Sequence, residues 1–458
     1  MNFRDAGSAA VGQRGTASTK LGTDRLASHR REAVAGYPPM DEMRDRARQI
    51  RHHTIEHLGH YLDLFANRVE SLGGRVHFAS DANEALDIIA TLVRATPGTV
   101  IKSKSMLTEE IGLNHHLEQQ GAVVVETDLG EFIAQLAGQA PSHLIAPVMH
   151  MDRFEVARLF ADHLGVAYTD EPSELNAIAR EHLRPIFLSS SVGISGVNFG
   201  VAETGSIVTV TNEGNGRLTT TAPDVHIAVM GVERLVPGQS ELAVMLEVLA
   251  RSATGQRLSV YTNVITGPRR PGEMDGPGHL HVVIVDNGRS ALIGGDYQEA
   301  LTCIRCGACL NVCPVYKEVG GHAYGSVYQG PIGAVLSPAM FGIDRHGDLP
   351  YASTLCGACL EVCPIRIDLP RMLLALRQQA AAAGHLPAGI GRGVAAYRWT
   401  ASGRRRWGLF WRMARLGSAP WARDGWLRSL PGPGRGWFQQ RDLLRPARRP
   451  FLRGRPHG

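Results

Sequence analysis

The sequence predicts an α/β domain with a largely parallel or mixed sheet, followed by a small, mainly α-helical domain that carries every cysteine. Strand-like and helix-like stretches alternate through the first two thirds of the chain, which is typical of a sheet covered by helices on both faces. All seven cysteines of the 458 residues lie between Cys303 and Cys363. A tight C-x-x-C array with no cysteine elsewhere favours metal binding over disulfides.

The first elements of the α/β domain follow from periodicity and capping. Residues 40–72 space apolar residues at helical intervals, which predicts an amphipathic helix, and "GGRVHFAS" predicts a strand. The next helix is expected to begin near Asp81, a good N-cap residue. "GTVIKSKS" then predicts a strand, and "MLTEEIGLNHHLEQQG" predicts a helix with acidic residues in its first turn.

The later elements continue the alternation. "AVVVETD" and "HLIAPV" predict strands, and "EVARLFADHLG" predicts a helix that Gly165 closes. "ETGSIVTVTNEGNGRLTTTAP" predicts a strand–turn–strand with Asn-Gly at its bend. "VHIAVMGVERLV" and "HLHVVIVD" predict further strands, and "LPRMLLALRQQAAAAG" predicts the helix that ends the cysteine domain.

Composition sets the outer boundaries of these domains. Residues 1–40 are rich in Ala, Gly, Ser and Arg without apolar periodicity, so they are expected to be disordered. The α/β domain with its N-terminal helix is expected over 41–296, the cysteine domain over 297–385 and a C-terminal extension over 386–458. From residue 391 onward the chain holds sixteen arginines, two acidic residues and all six tryptophans. With no long apolar run and no secretory signal, a cytoplasmic protein is expected.

The cysteine spacing points to iron–sulfur clusters. "CIRCGACLNVCP" fits C-x2-C-x2-C-x3-C-P, in which three thiolates bind one [4Fe–4S] cluster and the fourth binds the other. "CGACLEVCP" repeats the last three cysteines. The crossed rule predicts two clusters: cluster one with Cys303, Cys306, Cys309 and Cys363, and cluster two with Cys313, Cys356 and Cys359. A zinc ribbon is the alternative, but it would use four cysteines and not two interleaved sets that each end in Cys-Pro.

Cluster two lacks one thiolate, because Ser353 stands where the first motif has Cys303. Three interpretations remain open: Ser353 is an oxygen ligand, it is a helix-start residue without a metal role, or the cluster is a [3Fe–4S] cluster. Serine is a poor ligand unless it is deprotonated, which favours an unusual or labile fourth site. Two interlocked clusters predict a path for single electrons; the alternative is that the clusters only stabilise the fold.

Several long stretches resemble one known family. "IKSKSMLTEEIGLN", "GISGVNFGVAETGSIVTVTNEGNGRLTTTAPDVHIAVMG" and "CIRCGACLNVCPVYKEVGGHAYGSVYQGPIGAVLSP" closely resemble the lactate utilization protein B family, in which a LUD domain precedes a ferredoxin-type dicluster domain. The similarity covers about residues 40–385 and "WFQQRDLLRPARRPF" near the C-terminus. It implies the α/β fold shared by 5-formyltetrahydrofolate cyclo-ligase and the CoA-transferase-like group. The family also tolerates either Cys or Ser at position 353.

The resemblance further implies a role in oxidising L-lactate to pyruvate, which allows growth on lactate as carbon source. It implies a complex with a companion cysteine-rich iron–sulfur subunit and a second LUD-domain protein. Clusters accept one electron each and cannot take a hydride, so the primary acceptor is expected elsewhere: a flavin, a companion subunit or a site shared at an interface. The chain is therefore interpreted as a subunit of an oxidoreductase complex and not as a complete dehydrogenase.

The LUD domain offers polar candidates but no decisive motif. No G-x-G-x-x-G follows a strand and no P-loop occurs, so a nucleotide site is not indicated. Lys102 and Lys104, between a strand and a helix start, could bind a carboxylate such as lactate; a solvated strand end is the alternative. Asn215 and Arg217 lie in "NEGNGR", where a plain hairpin turn is favoured over a ligand loop. Glu203 is either a base or a structural partner, and no catalytic residue is assigned.

The arginine- and tryptophan-rich extension is expected to dock on a partner protein. An anionic membrane surface, at the inner face of the membrane, is the second interpretation. Nucleic acid is disfavoured because no nucleic-acid module accompanies the extension. Three functions therefore compete: an electron-transfer subunit for L-lactate, one for another 2-hydroxy acid such as glycolate, and a non-redox anion- or acyl-binding protein whose clusters are structural.

Overall fold

The computed structural model describes residues 3–386, 389–429, 438 and 441–447. The chain divides into two units, one up to His385 and one from Leu386 onward. The helices of the first unit are α1 (Phe3–Ala10), α2 (Arg14–Ala35), α3 (Met40–Glu56), α4 (Leu58–Ser71), α5 (Ala82–Ala95), α6 (Met106–Glu110), α7 (Leu113–Gln119), α8 (Leu129–Leu136), α9 (Arg153–Leu164), α10 (Pro172–Ser189), α11 (Asn215–Thr221), α12 (Gln239–Ala253), α13 (Ala308–Val312), α14 (Pro314–Val319), α15 (Gly330–Phe341), α16 (Ile343–His346), α17 (Ala358–Val362) and α18 (Leu369–Ala382).

The strands of the first unit form two sheets. They are β1 (Arg75–Ala79), β2 (Thr99–Lys102), β3 (Val124–Glu126), β4 (Ser190–Gly196), β5 (Phe199–Val201), β6 (Ser206–Thr211), β7 (Val225–Gly231), β8 (Leu235–Val236), β9 (Tyr261–Ile265) and β10 (His279–Val285). The second unit contains α19 (Ile390–Ala401), α20 (Arg404–Gly417) and the short strands β11 (Ala422–Arg423), β12 (Trp426–Leu427) and β13 (Leu443–Leu444). Among the described residues, no helix is both long enough and apolar enough to cross a membrane.

The larger sheet confirms the predicted α/β fold class. Its six strands are all parallel, in the order β1-β10-β7-β4-β2-β3. The central strands β7 and β10 are apolar almost throughout and buried on both faces, as parallel strands covered by helices must be. The smaller sheet has the order β8-β5-β6-β9. This arrangement brings the carboxyl ends of four neighbouring parallel strands, β10, β7, β4 and β2, to one edge.

The cysteine part and the α/β part share one apolar core. One apolar core includes Phe199 and Met245 of the α/β part together with Cys306, Tyr316 and Leu373 of the cysteine part. Sharing a core fixes the cysteine loops relative to the strands of the smaller sheet, because close-packed interiors allow little displacement.

The N-terminal segment requires a correction. Residues 1–40 were expected to be disordered, but α1 and α2 occupy Phe3–Ala10 and Arg14–Ala35. Along α2, Thr19, Thr23 and Ala27 recur every fourth residue and are buried, and α2 packs on α12, α13 and α14. Small residues on one face allow close helix packing, which a composition-based argument for disorder overlooks.

Two strand predictions also fail. "HLIAPV" forms a turn and not a strand: Nδ1 of His143 accepts hydrogen bonds from the backbone N–H groups of Ile145 and Ala146, so the side chain takes donors that a ladder would use. "NEGNGR" is not a hairpin bend, because Asn215 begins helix α11. That helix packs on β4 so closely that a Cβ at Gly193 would clash with the carbonyl oxygen of Thr219, which explains the glycine.

Two predicted helices are each divided in the structure. The helix expected over residues 40–72 breaks at His57 into α3 and α4. "MLTEEIGLNHHLEQQG" forms α6 and α7, separated by Gly112 in the left-handed conformation at φ 70°. The N-cap at Asp81 is confirmed, since its side chain accepts the backbone N–H of Glu84 at 3.0 Å. Gly165 closes α9 in the left-handed conformation, as expected.

Candidate functional site

The two cysteine motifs adopt the same local backbone conformation. Gly307 and Gly357 both take left-handed conformations, at φ 75° and 84°, and each starts a five-residue helix, α13 or α17. Cys313 and Cys363 follow these helices with extended backbones, at ψ 119° and 120°. The repeat that is visible in the sequence is therefore a structural repeat.

This equivalence includes Ser353. In the first loop, the backbone N–H of Arg305 donates to Sγ of Cys303 at 3.4 Å. In the second loop, the backbone N–H of Leu355 donates to Oγ of Ser353 at 3.1 Å. Arg305 and Leu355 both have positive φ, 59° and 55°, which is uncommon for residues with a side chain. Ser353 thus places its oxygen in its loop as Cys303 places its sulfur.

Four of the thiols line one cavity. They are those of Cys303, Cys306, Cys309 and Cys363, and the remaining wall is almost entirely apolar. Burial raises the pKa of Cys306, and neighbouring Cys363 and Cys303 thiolates raise it further. Thiols that come from both motifs and disfavour their mutual charge are suited to a shared cationic metal group.

The other three thiols, those of Cys313, Cys356 and Cys359, form a second group. Burial raises the pKa of Cys359 to about 12, and the nearby Cys313 thiolate contributes to the increase. Cys356 is exposed, and the backbone N–H of Ala358 lowers the pKa of its thiol. Sγ of Cys313 also accepts the backbone N–H of Tyr316 at 3.5 Å.

The thiol spacing differs from that of a single-ion site. The thiolates of a tetrahedral zinc site lie about 3.8 Å apart, given Zn–S bonds near 2.3 Å. Among the described residues, only Glu109, Glu126 and Glu131 form a set of three ligand atoms mutually within 4.8 Å. No three cysteine thiols are that close, so their spacing suits a cluster in which each thiolate binds a different metal atom.

Two N-terminal helices hold the second motif in place. From α3, Arg44 donates to the carbonyl oxygens of Glu361 and Cys363 at 2.7 and 2.9 Å. From α2, Arg30 donates to the carbonyl oxygen of Val362 at 2.9 Å. These bonds satisfy the carbonyl end of the short helix α17 and fix the position from which Cys363 reaches the thiols of the first motif.

A second cavity, of about 360 Å³, lies at the carboxyl edge of the parallel sheet. Its wall includes residues that directly follow or end β2, β4 and β7, and one that follows β10: Ser103, Lys104, Gly196, Gly231 and Arg289. Ligand sites in open α/β sheets occur at this edge. We call it the LUD cavity below.

Two of the five residues proposed from sequence as substrate ligands, Lys104 and Asn215, line the LUD cavity. Oδ1 of Asn215 is buried without a hydrogen-bond partner. Arg217 is exposed on α11 and Glu203 accepts the N–H of Gln239 at the start of α12; neither lines this cavity.

Lys102 is also outside the LUD cavity. Its ammonium is fully buried and contacts the carboxylates of Glu126 at 2.7 Å and Glu109 at 3.1 Å. A buried lysine with two acidic partners is already neutralised, which leaves little attraction for a further anion. Lys104, two residues later, donates instead to the carbonyl oxygen of Leu144.

One end of the LUD cavity carries three arginines that sequence reasoning missed: Arg234, Arg289 and Arg305. Glu233 pairs with all three, at 3.5, 2.9 and 3.5 Å. Burial alone would raise the pKa of Glu233, but these guanidinium groups lower it to about 2. Arg289 also contacts Glu110 at 2.6 Å. No local sequence signal unites these residues, because they follow different strands or lie in the cysteine loop.

Three ionisable residues also line the LUD cavity: Lys104, Asp128 and Glu213. Of these, sequence analysis had identified only Lys104. Burial lowers the pKa of Lys104, against the opposing effect of Asp128. Glu213 is open to solvent on one side, yet burial of its carboxylate raises its pKa to about 7, and the Asp128 charge adds to this. A carboxyl group with a pKa near neutrality is suited to accept a proton from a bound hydroxyl.

The LUD cavity and the cysteine cavity share a wall. Leu144 lines both of them, and its carbonyl oxygen accepts the hydrogen bond from Lys104. Arg305 lines the LUD cavity while its neighbours in sequence, Ile304 and Cys306, line the cysteine cavity. The two cavities therefore meet at Leu144 and at the loop that carries Arg305.

Two family models match consecutive parts of this chain. The LUD domain model matches residues 62–285, and the 4Fe-4S dicluster domain model matches residues 299–367. A solved structure of a DUF162 family protein from Deinococcus radiodurans overlaps 50% of this chain and 98% of its own, with a TM-score of 0.28 and 16% identity. The fold and the cysteine site together define an iron–sulfur protein with a LUD domain.

Three similar proteins have one name in common. Lactate utilization protein B of Bacillus licheniformis and that of Bacillus subtilis are each 45% identical over 431 residues, covering 93% of this chain and 90% of the relative. The protein of the same name from Oceanobacillus iheyensis is 46% identical over 413 residues, covering 90% of this chain and 86% of the relative. This chain belongs to the lactate utilization protein B family, which confirms the resemblance inferred from its motifs.

Proposed function

We propose that this chain is the iron–sulfur electron-transfer subunit of a system that oxidises L-lactate to pyruvate and supports growth on lactate. The observation that carries the proposal is the adjacency of two sites: four thiols from both motifs line one cavity, and that cavity shares a wall with the LUD cavity. The names of the relatives supply the substrate.

The ligands of two [4Fe–4S] clusters are part of this proposal. The cavity that four thiols share supports cluster one on Cys303, Cys306, Cys309 and Cys363, and the remaining group supports cluster two on Cys313, Cys356 and Cys359. We propose Oγ of Ser353 as a candidate ligand for the fourth iron of cluster two, because its loop matches that of Cys303. Whether this iron is bound firmly, weakly or not at all distinguishes a [4Fe–4S] from a [3Fe–4S] cluster.

The surroundings of the two thiol groups suggest a direction for electron flow. Cluster one would adjoin the LUD cavity through Leu144, whereas cluster two would lie near exposed Cys356. Bound clusters accept electrons one at a time, so a two-electron oxidation is divided between them. We therefore assign cluster one to the substrate side and cluster two to the side that faces the next carrier.

Companion proteins complete the system. A cysteine-rich iron–sulfur subunit and a second LUD-domain protein would supply the primary acceptor and the next carrier. The C-terminal extension is proposed to dock on them: α20 combines five arginines with exposed apolar side chains, namely Leu409, Phe410, Trp411, Met413 and Leu416. A peripheral contact with an anionic membrane at its inner face is the alternative for the same helix. "WFQQRDLLRPARRPF" lies mostly outside the described residues.

Electron transfer is tested by adding L-lactate or glycolate to the purified, anaerobic complex and recording the EPR spectrum. Reduction by L-lactate, with wild-type rates lost in Cys356→Ala, supports the proposal. Reduction by glycolate alone would transfer the role to another 2-hydroxy acid. Clusters that stay oxidised with both acids, while dithionite reduces them, would favour the non-redox alternative in which the LUD domain only binds an anion or acyl group.

A further inference from the structure

Arg305 connects the cysteine loop to the LUD cavity. Its backbone N–H donates to Sγ of Cys303 at 3.4 Å, while its side chain lines the LUD cavity on the other side of the loop. The guanidinium lies over the ring of Tyr328, with 4.5 Å from its central carbon to the ring centroid. The side chain is only 7% exposed.

The loop itself does not require an arginine. The matching residue of the second loop is Leu355, which makes the same backbone hydrogen bond with nearly the same φ. Burying a guanidinium costs free energy that a leucine at the same position would not incur. We therefore attribute the arginine at this position to the contacts of its side chain in the LUD cavity, and not to the backbone conformation of the loop.

Part of the Arg305 guanidinium has no hydrogen-bond partner. Nε and Nη1 are buried without a hydrogen-bond partner, and Nη2 reaches Oε1 of Glu233 at 3.5 Å. Glu233 is already shared with Arg289 and Arg234. Counting Glu110 on Arg289 as well, three guanidinium groups face two carboxylates at this end of the cavity.

We propose that Arg305 binds the carboxylate of a small 2-hydroxy or 2-oxo acid in the LUD cavity, directly beside the thiols of cluster one. Nη2 forms a fork with either Nε or Nη1, so a carboxylate that replaces the long contact to Glu233 can accept two parallel hydrogen bonds. Lys104 and Glu213 line the same cavity and provide polar partners for a hydroxyl or carbonyl group. The choice of acid rests on the proposed function; the anion site itself rests on the unsatisfied guanidinium.

The test uses calorimetric titration of the full-length, anaerobically reconstituted protein with pyruvate, L-lactate and glycolate, and with acetate, which lacks the oxygen on C2. We expect pyruvate and L-lactate to bind at one site per chain. Arg305→Leu, which copies the residue of the second loop, should weaken that binding by about tenfold or more, and Arg305→Lys should recover part of it. Arg180→Leu, at an exposed position of α10 away from the cavity, is the matched control and should leave the affinity unchanged.

Two further readouts separate binding from folding and from function. Arg305→Leu should retain the iron content and unfolding midpoint of the wild type, because the loop geometry tolerates leucine. Pyruvate should alter the EPR signal of cluster one in the wild type but not in Arg305→Leu. Absence of binding to the wild type, or equal affinity in Arg305→Leu, would overturn the anion site. If L-lactate binds but never reduces the clusters of the assembled complex, the anion site stands and the proposed function fails.

Discussion

If ligation is crossed, substituting Cys313 or Cys363, which occupy equivalent positions in the two motifs, should affect the clusters very differently. Cys313 and Cys363 each follow a five-residue helix and precede a proline. If ligation is crossed, Cys363→Ala leaves cluster one with three thiolates, whereas Cys313→Ala leaves cluster two with only two. A cubane that keeps three thiolates can persist as a three-iron cluster, but one that keeps two cannot be held.

The number of irons lost per chain measures the effect of each substitution. Cys363→Ala is expected to lose about one of about eight irons per chain and to gain an EPR signal in the oxidised state. Cys313→Ala is expected to lose about four, or about three if cluster two is already a three-iron cluster. Iron and acid-labile sulfide are measured on anaerobic protein, with circular dichroism as the control for folding.

The alternative reverses this order. If each motif held its own cluster, Cys303, Cys306, Cys309 and Cys313 would bind the first one, and the second would depend on the three later cysteines. Cys313→Ala would then be the mild substitution and Cys363→Ala the severe one. That reversed pattern would refute the crossed assignment, and with it the interpretation of the cavity in which Cys363 joins three thiols of the first motif.

Four other predictions follow. Ser353→Cys should bring cluster two to a full four irons that resist oxidation, whereas Ser353→Ala should match the wild type in iron content unless the serine oxygen is a ligand. Arg51→Ala should lower the free energy of unfolding by at least about 3 kcal/mol, because the buried Arg51 donates to the carbonyl oxygens of Glu233, Leu235, Leu301 and Thr302; exposed Arg46→Ala on the same helix is the control. Burial lowers the pKa of His226 to about 3, so below pH 6.5 the unfolded chain binds a proton that the folded chain does not, and the free energy of unfolding falls by about 1.6 kcal/mol between pH 6.5 and pH 5; in urea titrations His226→Gln should show a smaller loss over this range than exposed His163→Gln. Removing residues 391–458 should abolish co-purification with the companion subunits; unchanged co-purification with loss of membrane sedimentation would assign the extension to a membrane surface instead.

The parallel sheet could be predicted because local signals determine it. Continuous apolar runs such as those of β7 and β10 suit only strands buried on both faces. The cysteine motifs were predictable for a similar reason, since three of the thiolates that bind one cluster come from a single short loop. The position of Cys363 in one cavity with three thiols of the first motif could also be predicted, because the spacing repeats. In each case, the residues that carry the information lie close together in the sequence.

The cavity end with three arginines could not be predicted in this way. Arg234 follows β7, Arg289 follows β10 and Arg305 belongs to the cysteine loop, while Glu110, a partner of Arg289, lies 179 residues before it. Only the strand order β10-β7-β4-β2 brings these positions together. Helix α2 was missed for a related reason: its buried threonines are recognisable as a packing face only once the helices they contact are known.

The two cysteine loops differ where their surroundings differ. Their backbones match through Gly307 and Gly357, but Cys303 and Arg305 of the first loop correspond to Ser353 and Leu355 of the second. The first loop borders the LUD cavity, and its arginine reaches into that cavity with unsatisfied donors.

The second loop does not line the LUD cavity, and it carries Leu355 and the exposed Cys356 instead. The proposed electron path, with cluster one on the substrate side and cluster two on the outer side, would account for this asymmetry. Exchanging the two residues, as Arg305→Leu together with Leu355→Arg, should therefore abolish pyruvate binding without creating a second site, because Leu355 does not line the LUD cavity.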